Sequence, residues 1–182
     1  MLYIMRHGRT DWNDAYKLQG RTDIPLNETG REMARKAKFA CDEIAFDICY
    51  CSPLSRARET AELVLAGRDI PIIEDERLLE MSFGIEEGKD HCFQHPEYAV
   101  HTLFMKPEEY KGVEGGETFE ELYARTGSFL ENVAKPAVAE GKNVLVVGHG
   151  AMNSCLICQI RNIPLKDFWS VGIENCKLIK LL

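Results

Sequence analysis

Asn143-Val144-Leu145-Val146-Val147-Gly148-His149-Gly150 (NVLVVGHG, residues 143–150) decides how this chain folds. Four consecutive branched aliphatic residues leave no polar face, so the run reads as a strand covered on both sides, as in the middle of a parallel sheet. It ends in a histidine between two glycines, where a plain turn needs no titratable group. Two more runs share this design. Leu2–Met5 leads into Arg6-His7-Gly8, and Phe46–Cys51 leads into Ser52-Pro53-Leu54-Ser55-Arg56.

Helical patterns separate these strands. Asn27 is an N-cap followed by apolar positions Met33, Ala34, Ala37 and Ala40 at helical spacing. Ser52-Pro53 opens the next helix, with proline suited to a first turn, and Gly67 closes it. Ile70–Ile73 is a short extended run, and the stretch from Arg77 to Glu117 is rich in loops. Thr118-x-x-Glu121 is a capping box for a long helix expected to stop near Lys135, before Pro136. A helix over about Ala151–Ile160 and a last strand within Cys176–Leu181 complete the pattern. Strands alternating with helices predict an α/β fold: one domain over residues 1–182, with a three-layer, mainly parallel sheet and helices on both faces.

Composition narrows the function. With 45% hydrophobic and 28% charged residues the chain reads as an ordinary soluble domain. No apolar run is long enough to cross a membrane, and Met1–Met5 is too short for a signal peptide before Arg6, so a cytoplasmic protein is expected. A formal charge of −7 argues against nucleic-acid or anionic-membrane partners, so any cationic site must be local. The seven cysteines are odd in number and several lie in apolar runs, which fits buried thiols in a reducing compartment. Cys155-x-x-Cys158 has no second pair at ligand spacing, and Cys49-x-Cys51 alternates along a strand. His91, Cys92, His95 and His101 read as titratable residues of a surface helix. No metal and no cofactor are expected.

In an open α/β sheet, ligands bind beyond the carboxyl ends of the parallel strands. If the three strands are neighbours, His7, Arg56 and His149 meet in one crevice. Arg56 sits near a helix start, where the macrodipole disfavours a cation unless an anion lies beside it. Arg58 points about 200° away on that helix and has Glu62 one turn on, so Arg58 is assigned to the surface and Arg56 to function. Two histidines with several arginines suit a phosphoryl dianion: guanidinium forks match its oxygens and a neutral imidazole can attack phosphorus. The chain contains no GxxxxGK[ST] loop and no GxSxG elbow.

In order, Arg6-His7-Gly8 with Trp12-Asn13, Ser52-x-Leu54-x-Arg56-Ala57-x-x-Thr60, Glu80-x-x-Phe83-Gly84, Gly116-Glu117-Thr118 and Val147-Gly148-His149-Gly150 resemble the histidine phosphatase superfamily over nearly the whole chain. The resemblance implies a phosphoglycerate-mutase-like fold and a phosphohistidine mechanism. It makes His7 the nucleophile, with Arg6, Arg56 and His149 holding the phosphoryl oxygens. Asn13, Thr10 and Gly150 are then substrate-binding residues, and Glu80 is the acid and base. The implied activity is a metal-independent phosphatase for a small phosphomonoester, similar to the α-ribazole-phosphate or broad-specificity sugar-phosphate branches, as a monomer or homodimer. A mutase is the alternative. The stretch between Glu80 and His149 lacks the tandem arginine and proline run of mutases, and the chain stops at Leu182 without their tail, which favours a phosphatase. A non-catalytic phosphate-binding protein on the same fold would lack some of His7, Arg6, Arg56, Glu80 and His149, and all five are present. One departure stands out: many relatives read Phe-Gly-x-Trp-Glu-Gly where this chain has Phe83-Gly84-Ile85-Glu86-Glu87-Gly88.

Overall fold

A computed structural model describes all 182 residues. Five strands form one sheet: β1 (Leu2–Arg6), β2 (Ile48–Cys51), β3 (Ile72–Glu74), β4 (Val144–Gly148) and β5 (Leu178–Lys180). Their order is β3-β2-β4-β1-β5, parallel throughout except for β5, which runs antiparallel to β1 at the edge. β4 lies between β1 and β2, with Arg6 paired to Gly148 and Cys51 to Val147, so the three chemically marked strands are neighbours ending at one level.

Alternation along the strands divides the core. Tyr3, Met5, Cys49, Cys51, Leu145 and Val147 face the layer formed by α2 (Glu28–Asp42) and α3 (Ser55–Val64), following α1 (Asp11–Asp14). Leu2, Ile4, Val144 and Val146 face the opposite layer. That layer follows α4 (Ala99–Met105) in the chain and contains α5 (Phe119–Phe129), α6 (Lys135–Ala139) and α7 (Gly150–Arg161). A third cluster, including Met81, Phe83, Val100 and Leu103, joins the long 77–117 segment to α5 and α7.

The caps act as the sequence predicts: the side chains of Asn27 and Thr118 accept the N–H of Gly30 and Glu121. Three expectations are corrected. On α2 the buried stripe is Gly30, Ala34 and Cys41, while Ala40 is exposed. The long helix does not stop before Pro136. Its turn over Leu130–Ala134 widens to a π-helix, Lys135 donates back to Leu130, and α6 carries Pro136 within its first turn, where no proline N–H is needed. The His91 region is not one surface helix: His91 is left-handed at φ 47°, and only His101 lies on α4.

Candidate active site

His7 leaves β1 fixed through its backbone: its N–H donates to Gly148 (2.9 Å) and its carbonyl accepts the Asn175 amide (2.7 Å). Gly8 follows because space demands it. A Cβ there would stand 2.5 Å from the Gly30 carbonyl oxygen, so glycine lets the start of α2 close against the strand end. The His7 ring is buried and its Nδ1 lies 2.6 Å from the Gly8 carbonyl oxygen. A carbonyl can only accept, so Nδ1 carries the proton and Nε2 presents a lone pair.

His149 is fully buried with its ring centroid 5.1 Å from that of His7, and neither of its ring nitrogens has a partner in the chain. Burial holds both imidazoles well below the ordinary histidine range, and the nearby charges of Arg56 and Arg6 push the same way. Both rings are therefore neutral near pH 7, which is the nucleophilic form.

Arg56 is the largest fully buried side chain. Its two terminal nitrogens donate to the carbonyls of Thr22 (2.9 Å) and Gly20 (2.7 Å), while Nε has no partner. Desolvation lowers it to about 10, with Glu80 opposing the shift. Arg6 donates to the Ile173 carbonyl (3.1 Å), leaves its Nε unpartnered, and is also lowered by desolvation. Two desolvated guanidiniums short of acceptors, inside a protein of net charge −7, have the chemistry to hold an anion. Arg58 instead lies at the surface, paired with Glu62 (2.7 Å) and with Glu74.

Glu80 is buried to 8% exposure, and its carboxylate accepts the N–H groups of Met81 (2.9 Å), Met152 (3.0 Å) and Ala151 (3.2 Å). It thereby caps α7, which His149 leaves without a side-chain cap. A Cβ on Gly150 would stand 3.6 Å from the Glu80 carboxylate and 3.7 Å from the Arg6 guanidinium carbon, so acid, arginine and helix start adjoin one another.

A cavity of about 370 Å³ is lined by Arg6, His7, Asn13, Arg56, Glu80 and Gly150 on its polar side. His149 is fully buried beside His7 and does not line the cavity. Thr10 is not brought to the cavity: it is fully buried, its hydroxyl engages Gln19 (2.9 Å), and it forms a capping box with Asn13. Its place is one step back, where its N–H donates to the Asn13 side-chain oxygen Oδ1 (3.1 Å) and its hydroxyl oxygen accepts the Asn13 N–H (3.2 Å).

Sequence reading missed the scaffold of this site. Glu87 accepts the N–H groups of Arg21 and Thr22 (3.0 and 2.9 Å), fixing the loop whose carbonyls hold Arg56. Glu86 accepts the N–H groups of Ala99 and Val100 (2.8 and 3.0 Å), so the residue replacing the relatives' tryptophan caps the start of α4. Arg125 and Arg21 both donate to the Glu80 carbonyl. None of these partners stands at a fixed spacing from Glu80 or Arg56, so no sequence signal announces them. No group of three or more His, Cys, Asp or Glu side chains is arranged to hold a metal ion, and all seven cysteines are buried.

The family model of the histidine phosphatase superfamily (branch 1) matches residues 2–182. A phosphatase of Bacillus subtilis, PhoE, described as uncharacterized, is 35% identical over 86% of this chain and 75% of its own. A 2,3-bisphosphoglycerate-dependent phosphoglycerate mutase of Gloeobacter violaceus is 30% identical over 97% of this chain and 82% of its own. Among solved structures, YhfR of Bacillus stearothermophilus superposes with a TM-score of 0.86 at 35% identity, covering 97% of this chain and 88% of that one. With its parallel sheet, its paired histidines at neighbouring strand ends and its buried arginines, the chain belongs to the histidine phosphatase superfamily and is a hydrolase-type enzyme of that family.

Proposed function

We propose that the protein hydrolyses phosphomonoesters of small metabolites, of sugar-phosphate or α-ribazole-phosphate type, through a phosphohistidine at His7. The observation that carries this reading is the His7 tautomer: Nδ1–H is tied to Gly8, and Nε2 is free beside two buried guanidiniums. In the first step Nε2 bonds to phosphorus as the phosphorus–oxygen bond to the alcohol breaks, and protonated Glu80 gives its proton to the leaving oxygen. In the second step Glu80 takes a proton from water as that water attacks phosphorus, releasing inorganic phosphate and restoring His7 Nε2. Arg6, Arg56 and His149 stabilise the oxygens through both transfers, Asn13 adds a side-chain donor, and Gly150 opens α7 beside them. Positioning and electrostatics carry most of the work in such transfers.

A mutase is the second reading, favoured by the name of the Gloeobacter relative. It requires phosphohistidine to return its phosphoryl group to a bound acid phosphate rather than to water. The test is a set of phosphomonoesters assayed with and without chelator, with phosphoglycerate mutase activity run beside it, and acid quenching to trap the adduct. Expected are chelator-resistant phosphate release, an acid-labile and alkali-stable adduct on His7, and no turnover in His7→Ala. Near-normal turnover in His7→Ala overturns the nucleophile, and phosphoryl exchange outpacing release makes the enzyme a mutase.

A further inference from the structure

Besides Arg6 and Arg56 the cavity is lined by aromatic side chains, and three distant segments supply them. Tyr16 stacks on His91 with ring centroids 5.0 Å apart and planes 25° from parallel. His91 continues to Phe93 at 6.2 Å, Phe93 to Phe104 at 6.4 Å, and Phe104 to Trp169 at 5.1 Å. Tyr16, Phe93, Phe104 and Trp169 line the cavity. The indole N–H of Trp169 is bound by the Leu103 carbonyl (2.8 Å), so that ring offers its faces rather than its donor.

The ladder starts on strained backbone. Tyr16 and His91 are both left-handed (φ 53° and 47°), and the His91 N–H donates to the Tyr16 carbonyl (3.0 Å). Bulky side chains disfavour that conformation, and such strain gathers at ligand sites. Here it sets the Tyr16 ring, which lines the cavity, against His91. Phe93 is 39% and Tyr16 59% exposed, so apolar area stands ready to be covered.

Charge points the same way. Apart from Arg6 and Arg56, the one lysine or arginine lining the cavity is Lys17, and its ammonium lies 5.8 Å from the Trp12 ring centroid. Aromatic faces carry negative potential, which repels a carboxylate and accepts a flat uncharged ring by stacking.

We infer that the preferred substrates are phosphomonoesters whose alcohol part is a flat, uncharged ring system without a carboxylate, and that Phe93 and its ladder neighbours determine this specificity. The inference rests on the phosphatase reading only for placing the phosphoryl group against Arg6 and Arg56. Its test needs no turnover. Benzylphosphonate, methylphosphonate and 3-phosphonopropionate are titrated calorimetrically into the wild type, Phe93→Ala and Lys17→Met. Benzylphosphonate should bind roughly tenfold more tightly than either other probe. Phe93→Ala should remove most of that preference while methylphosphonate binds as before, and Lys17→Met should leave the preference intact. Tighter binding of 3-phosphonopropionate, or equal losses for all three probes in Phe93→Ala, overturns the inference. A ring preference in a protein that hydrolyses nothing would sustain the inference and sink the phosphatase reading instead.

Discussion

Arg125 holds Glu117 with both arms of its guanidinium (2.6 and 2.8 Å), and the same group donates to the carbonyls of Arg77, Leu79 and Glu80. One largely buried ion pair, Arg125 of α5 with Glu117 just ahead of that helix, thus ties down the segment that carries Glu80. Arg21, from the loop that also holds Arg56, reaches both Glu117 and the Glu80 carbonyl (each 3.2 Å). The acid is aimed through its main chain.

Arg125→Met should therefore damage fold and chemistry together. It leaves Glu117 short of its main partner and the carbonyls of Arg77 and Leu79 without their donor, while the Glu80 carbonyl keeps Arg21. A loss of about 3 kcal/mol is expected in urea unfolding, the low end for breaking a buried pair, because Arg21 still reaches Glu117. At temperatures where the variant is folded, release of an alkyl alcohol in a single turnover should slow. Unchanged stability and unchanged release would show that the pair does not position Glu80.

Arg56→Ala should cost far more activity than Arg58→Ala. Removing an oriented donor aimed at transition-state charge costs about 2.7–4 kcal/mol, judged from single oxyanion-hole donors. An exposed pair such as Arg58–Glu62 contributes about 0–1 kcal/mol, and only to stability. The comparison is kcat/KM for one phosphomonoester, and equal losses would remove Arg56 from its role.

Glu80→Gln separates an acid from a helix cap. The amide oxygen can still accept the N–H groups of Met81 and Met152, losing only that of Ala151, but the side chain has no acidic proton for a leaving alkoxide. Phosphorylation of His7 should slow sharply with alkyl phosphates and mildly with p-nitrophenyl phosphate, whose phenolate leaves unaided. Single-turnover release of the alcohol is the quantity to follow, since water attack on phosphohistidine also uses Glu80. Equal slowing for both substrates would mean that Glu80 is not the acid.

Stability should fall as pH drops below about 6.5. Burial holds His7 and His149 well below the ordinary histidine value of about 6.5, so under acid conditions the unfolded chain takes up protons that the folded one refuses. Their contribution is fully present above that pH and is lost going down towards the depressed folded values. Urea unfolding at pH 7.5 and pH 5 should show a smaller loss for His7→Gln/His149→Gln than for the wild type. An equal loss would show that the imidazoles do not resist protonation.

Much of this architecture was already legible in the residues. Val144–Val147 has no polar face, so it had to lie at the sheet centre, and Leu2–Met5 and Cys49–Cys51 follow it as neighbours. Asn27 and Thr118 announce their helix starts because a cap is a contact between residues three apart. Helical geometry alone separated Arg56 from Arg58, since two residues on a helix face opposite ways. These are local rules, and local sequence states them in full.

Tertiary structure decided what depends on segments far apart in the chain. Glu80 reaches α7 across 71 residues, Arg125 reaches Leu79 across 46, and the ring ladder joins residues near 16, 91–104 and 169. No periodicity encodes such pairs, because each forms only when separate segments pack. Pro136 reads as a stop by propensity, yet the helix passes it: the widened turn removes the need for its N–H, and Leu130, Ala134 and Ala137 pack in the core cluster of that layer. Thr10, one residue from the motif's glycine-arginine step, turns inward to brace Asn13 rather than outward to a ligand. The sequence by itself determined the α/β class, the strands, the caps and which residues stand at the strand ends. Packing alone decided how they are braced and what shape of alcohol the cavity faces, because bracing and shape arise from contacts that exist only in the folded chain.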